Sequence, residues 1–293
     1  MDHVAGAITA PKTNHGRRKF FKGLGKMAAG GTAAMLFGEL PVLRAQSTGA
    51  SQDTANQIFL AALIAEDLAT TFYYSGLVGK VVQDPNLAGP GGTATKPNPT
   101  NSNIPNLDYV RAALNQEIQH ADLLRTVGNF GKDASTDPYQ TFYFPAGTFD
   151  TLNNFIATLE ALENAFIGAY LNAIREFASL ASRSGERGVP NGPYGGPYSA
   201  AQLEYFAEVA GSILGVEAEH RVLGRVITNT PQANNLNYEQ TDGLTSVYHG
   251  SSSAVAALTP FLNPNTGPAV SLSTALYDAK MIGLNSTGTI PPQ

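Results

Sequence analysis

The sequence predicts an all-α fold: a four-helix bundle with a long crossover between the second and third helices and a polar C-terminal extension. Three observations predict it. Four long segments, near 54–82, 107–130, 150–181 and 199–228, repeat their apolar residues every three to four positions. Each is several times longer than an ordinary strand and has no proline inside. Breaker-rich stretches separate them: "QDPNLAGPGGTATKPNPTNSNIPN", "GKDASTDPYQTFYFPAGTF" and "SRSGERGVPNGPYGGPY". The second of these lets the chain cross from one helix pair to the other.

Composition supports one well-filled core. The chain has 293 residues, 43% of them hydrophobic and 14% charged, which excludes bulk disorder. It has no cysteine, so disulfides and thiolate metal sites are excluded and any metal must take nitrogen and oxygen ligands.

Residues 1–45 read as a targeting segment. Arg17 and Arg18 precede Phe20, Phe21 and Lys22; a weakly apolar Gly/Ala-rich run follows, and the small residue Ala45 stands before Gln46. The pattern resembles a bacterial twin-arginine export signal, which implies a periplasmic or otherwise exported protein. The competing reading is a basic arm or membrane anchor, and an uncleaved signal would tether the chain to a membrane. Twin-arginine export carries folded proteins, often with cofactor in place, as the resemblance implies. The segment holds seven Lys/Arg and two Asp/Glu, leaving eleven basic and twenty-one acidic residues in the remainder. That acidic balance argues against nucleic-acid binding.

Residues 46–230 form the expected bundle. Its first helix carries the core stripe Phe59, Leu63, Glu66, Thr70, Tyr73, Leu77, and its second Val110, Ala113, Glu117, His120, Leu124, Val127. The third carries Ile156, Leu159, Glu163, Phe166, Tyr170, Ala173, Phe177; the fourth carries Phe206, Ala210, Ile213, Glu217, His220, Gly224, Ile227. Each stripe is apolar or aromatic apart from one glutamate near its middle, and the second and fourth add a histidine one turn on. Residues 231–293 turn polar and rich in Gly, Ser, Asn and Pro. They read as a wrapping extension without chemistry, with one short helix near 271–282.

Four carboxylates at one level of a core repel one another, and each costs on the order of several kcal/mol if unpaired. Two divalent cations offset their charge, and each histidine adds an imidazole ligand. A Glu-x-x-His pair projects from one helix face, so one turn supplies two ligands. One glutamate from each of two helices plus Glu-x-x-His from each of the other two is the ligand set of ferritin-like di-iron and di-manganese proteins. The candidate metal ligands are therefore Glu66, Glu117, His120, Glu163, Glu217 and His220, for two Fe or Mn ions. Of the five histidines, His3 and His15 fall in the targeting segment, and two of the other three complete the paired motifs.

Glu160 is an alternative to Glu163, and Glu219 replaces Glu217 only by breaking the motif. Asp67 and Asp122 lie off the stripes and read as solvated. Tyr73 and Tyr170 each follow a candidate ligand by seven residues, about 10 Å along the helix. They read either as core aromatics with a satisfied hydroxyl, or as groups that hydrogen-bond residues behind the ligands or carry radicals.

"AEDLATTFYYSGL", "LENAFIGAYL" and "ILGVEAEH" resemble motifs of bacterial and plant ferritin-like domain proteins that include the desiccation-related proteins. The resemblance spans about 54–228. It implies a ferritin-like fold and a metal site, favours Glu163 over Glu160 and supports Glu66. Ala69 departs from the pattern, since many relatives carry a second glutamate there.

The leading expectation is an exported dinuclear iron or manganese protein in oxidative or desiccation stress, whose chemistry is iron oxidation or peroxide removal. Glu66 and Glu163 would be terminal or chelating ligands, and Glu117 and Glu217 the candidates to bridge the metals. Two alternatives stand beside it: a non-catalytic envelope or desiccation stress protein with structural metal, and a di-iron oxygenase acting on an organic substrate. The expected partners are metal ions, oxygen or peroxide and the twin-arginine machinery, with a homo-oligomer left open and nucleic acid excluded.

Overall fold

The computed structural model describes residues 53–131, 133–186, 198–229, 258–281 and 283–284. The export-type segment 1–45, most of the third connection and residues 230–257, with His249, lie outside the described residues.

Four long helices make the bundle: α1 (Ala55–Val78), α2 (Ile104–Val127), α3 (Leu152–Glu186) and α4 (Ala200–Ile227). Their starts are written locally. Thr54 caps α1 by accepting from the Gln57 N–H, while the Gln57 side chain accepts from the Thr54 N–H. Ser199 and Gln202 form the same reciprocal cap on α4. Helix α2 begins three residues before the expected 107, because Pro105 is tolerated in a first turn whose N–H groups have no helical partner. Helix α1 stops before the expected 82, at Gly79, and the chain continues as a 3-10 turn, Val81–Gln83. Helix α3 runs past the expected 181, since no proline interrupts it before Pro190.

Helix α1 packs mainly on α2, and α3 mainly on α4; the two pairs then close on a common core. The predicted stripes line that core. Every stripe residue is buried except His120 and Val127, which are partly buried. Aromatic rings fill both ends. Phe59 contacts Phe177 and Phe206, and Phe72 stacks on Phe155 at a centroid distance of 4.5 Å and 5° between ring planes.

Gly76 exists because of that stack. A Cβ there would lie 2.5 Å from Cε2 of Phe155, a ring that is fully buried. Gly76→Ala is expected to destabilise the protein by about 1–3 kcal/mol despite alanine's better helix propensity. Denaturant unfolding checks this; an unchanged or raised midpoint would show that Phe155 can move aside.

The crossover and the extension carry two short strands that helical periodicity does not reveal. β1 (Thr141–Tyr143) pairs antiparallel with β2 (Ala269–Ser271), with Phe142 opposite Val270. The run "TFYF" supplies the β-branched and aromatic residues a strand favours. Helix α5 (Leu272–Met281) then packs on α1, burying Leu272, Ala275 and Ala279. Tyr74 of α1 donates to Asp278 at 2.8 Å. The described part of the extension is thus docked on the bundle through a strand, a helix face and a hydrogen bond. No described helix is long and apolar enough to cross a membrane.

Candidate metal centre

Glu66, Glu117, Glu163, Glu217 and His220 are all buried, and His120 retains 12% of its side-chain exposure. Their helical positions explain this. Each sits mid-stripe, so the period that buries the leucines and phenylalanines also turns these polar groups inward.

The six side chains form two overlapping clusters that could hold metal ions. One contains Glu66, Glu117, His120 and Glu217; the other contains Glu117, Glu163, Glu217 and His220. Within each cluster, one ligand atom per residue lies within 4.8 Å of the rest. Glu117 and Glu217 belong to both. Each histidine turns Nδ1 inward. His120 Nδ1 is 3.2 Å from Glu66, 3.3 Å from Glu217 and 3.7 Å from Glu117. His220 Nδ1 is 3.0 Å from Glu117, 3.5 Å from Glu217 and 3.8 Å from Glu163.

The donor set fits a divalent metal pair. Both carboxylate oxygens of Glu117 and of Glu217, one of Glu163 and Nδ1 of His220 are buried without a hydrogen-bond partner. The 3.0 Å approach of His220 Nδ1 to Glu117 is off the line of a hydrogen bond, so it counts as charge proximity only. Buried polar atoms are rarely left in this state unless something binds them. The oxygen and imidazole donors suit iron or manganese.

The outer carboxylates are held from behind. Tyr73 of α1 donates to Oε1 of Glu163 on α3 at 2.6 Å. Tyr170 of α3 reciprocates with a short bond to Oε1 of Glu66 on α1. Each hydroxyl occupies one oxygen of its glutamate. The other oxygen of Glu66 faces His120, and the other oxygen of Glu163 has no hydrogen bond. The tyrosines are therefore core aromatics with satisfied hydroxyls, and the groups that satisfy them are the candidate ligands. The Tyr73 ring also meets the His220 ring edge-on at 5.7 Å. Burial, then the neighbouring carboxylates, raise both phenol pKa values well above the ordinary range, keeping the hydroxyls protonated as donors.

Glu160 is only partly buried and Glu219 is exposed; neither belongs to a cluster. Asp122 is exposed, as expected, yet still pairs with Arg125. Asp67 is a correction. It is 1% exposed rather than solvated, and it meets Arg125 Nη2 at 2.8 Å. The cause is a partner 58 residues away that the α1 stripe alone does not reveal. Asp137 from the crossover joins the same guanidinium at 2.7 Å through Nε.

Without metal, protons perform part of the neutralisation. Burial pushes the His220 pKa down, but the facing Glu117 and Glu217 outweigh it and raise it to about 10. For His120 burial is again opposed, chiefly by Glu66, and the shift is also upward. Burial, then Glu217 and Glu117, raise Glu163 well above the carboxylate range. Glu117 is raised by burial and by Glu66, while Glu217 is lowered because its two histidines overcome burial.

The signs set a pH dependence. The raised His220 pKa stabilises the metal-free fold fully below the ordinary 6.5, and that contribution disappears as pH climbs towards about 10, while that of His120 declines over the same window. The raised Glu163 and Glu117 act in the same direction, costing stability above the ordinary carboxylate range. Glu217 acts oppositely, its contribution being lost only in acid. The melting temperature of metal-stripped protein is therefore expected to fall from pH 6.5 to pH 10. The stabilisation gained on adding Mn(II) should grow over the same window, because metal displaces bound protons. Calorimetry of stripped and reloaded protein checks this; a flat profile for the stripped protein would contradict it.

No curated protein and no solved structure matches the chain. Residues 54–184 match the family model described as a ferritin-like domain. The match takes in Glu66, Glu117, His120 and Glu163 and ends before Glu217 and His220, so the α4 part of the site rests on geometry. With four long helices joined by a crossover and almost no strand among the described residues, the matched segment makes this an all-α protein of ferritin-like fold.

Proposed function

We propose that the protein holds a dinuclear iron or manganese centre and uses it in oxygen or peroxide chemistry outside the cytoplasm. One observation carries the reading: two four-ligand clusters share Glu117 and Glu217, so two cations can be bridged by two carboxylates. Glu66 and His120 would complete one ion's ligands, and Glu163 and His220 the other's. A bound pair of such metals supplies two one-electron changes side by side, which suits dioxygen or peroxide.

The chain's own residues have definite tasks in this reading. Tyr73 and Tyr170 hold the terminal carboxylates by one oxygen each, leaving the other oxygen towards the site. The surrounding apolar stripes limit water in the site. The arginine pair near the N-terminus supports export through the twin-arginine route, with the bundle folded first. Oxidative or desiccation stress is the setting in which peroxide or ferrous iron would need removal.

The test is metal content by mass spectrometry on protein from an exporting host, followed by ferrous iron and peroxide assays. About two iron or manganese atoms per chain, with turnover of either substrate, is the expected result. Metal binding without turnover of either would favour the structural-metal stress protein. Protein that holds less than one ion per chain after reconstitution overturns the proposal.

A further inference from the structure

The α2 and α4 parts of the site share one spacing of charged residues. Glu117, His120 and Arg125 on α2 recur as Glu217, His220 and Arg225 on α4, each a hundred residues on. One departure from this repeat is chemical. Gln116 precedes the first shared glutamate, and Val216 precedes the second.

Gln116 reaches from α2 to α4, where its Oε1 lies 2.8 Å from His220 Nε2. An amide oxygen can only accept, so His220 must carry its proton on Nε2. Nδ1, the nitrogen facing Glu117, Glu163 and Glu217, is then the one left to bind a cation. Outer hydrogen bonds of this kind fix ring orientation and raise ligand basicity, and their loss costs ~10–100-fold in metal affinity.

His120 lacks that support. Its hydrogen bond among the described residues is on the inner side, from Nδ1 to Glu66. Val216, at the position equivalent to Gln116, has no side-chain acceptor to offer. Exposure divides the same way: 12% of the His120 side chain remains accessible, against 3% for His220.

We infer that the two half-sites are inequivalent. Gln116 is a positioning residue that makes the Glu163/His220 half the tightly held one. The Glu66/His120 half is the exchangeable one, through which divalent cations enter and leave. The inference rests on the two-metal reading above.

Mn(II) release tests it. Full-length protein loaded with Mn(II) is mixed with excess chelator, and release is followed by the loss of protein-bound signal in electron paramagnetic resonance. Two phases of equal amplitude are expected, differing in rate by at least about tenfold. Gln116→Leu should accelerate the slow phase by ~10–100-fold and leave the fast one unchanged. Gln116→Glu, which keeps an acceptor at the same reach, should preserve the slow phase. Val216→Gln should slow the fast phase by offering His120 the acceptor it lacks. A structural role for Gln116 would move both phases together, and that result overturns the inference. So does a single release phase, or a fast phase indifferent to Val216→Gln. If Gln116→Leu does not fold, the Val216→Gln result decides alone. Wild-type protein that takes up no Mn(II) would overturn the two-metal reading and this inference with it. Two ions released together would overturn this inference alone.

Discussion

Replacing Glu117 or Glu217 by alanine is expected to empty both metal positions, whereas Glu66→Ala or Glu163→Ala should empty only one. The two shared residues belong to both clusters; the other four belong to one each. In the proposed two-metal centre, removing a shared carboxylate would take a ligand from both cations and leave less negative charge between them. Content should fall from about two ions per chain to near zero, against about one for the unshared variants. Mass spectrometry on matched preparations measures this. Equal losses across the four variants would mean that Glu117 and Glu217 are not bridges. The metal-free fold of Glu117→Ala should survive, because in that state burial and Glu66 outweigh the two histidines and disfavour the ionised form of Glu117.

The second large effect is on stability. Arg125 is 2% exposed and binds three carboxylates: Asp67 through Nη2, Asp137 through Nε and Asp122 through Nη1. Asp67 and Asp137 are buried, so Arg125→Ala leaves two carboxyl groups together without their counter-charge. Burial and Asp137 already raise the Asp67 pKa, and Arg125 is what opposes them. The expected cost is ~3–5 kcal/mol, read from denaturant unfolding. Arg125→Lys should recover little, because an ammonium is a point charge that cannot present three N–H groups in a planar fork. The network ties α1, α2 and the crossover together one residue from Glu66, so metal affinity should weaken as well. A midpoint within experimental error of wild type would show that the network is dispensable.

Much of this was legible in the sequence because it is periodic. A helix returns the same face every three to four residues, so the stripes, the mid-stripe glutamates and the Glu-x-x-His pairs could be read one helix at a time. Glu163 could be separated from Glu160 only by resemblance; in the structure the orientation of α3 buries the former and leaves the latter partly exposed. Asp67 was misread because its burial depends on α2 and the crossover. A signal was present: "EIQHADLLR" and "EAEHRVLGR" each place an arginine eight residues after the glutamate, on the inward side of the helix. A cation recurring at that spacing calls for a buried acid nearby. The β1–β2 pair joins residues about 130 apart, and three-residue strands are too short to show a period.

By itself, then, the sequence determined the helices, their buried faces and the residue types that meet in the core, since all three follow from the backbone's repeat. Only the tertiary structure decided which groups touch across helices. Tyr73 reaches Glu163 rather than Glu66, Tyr170 reaches Glu66, Gln116 supports His220, and Asp67 finds Arg125. Such pairings depend on how one helix is rotated and shifted against another. That placement results from packing every side chain in the core at once, so no single helix's pattern contains it.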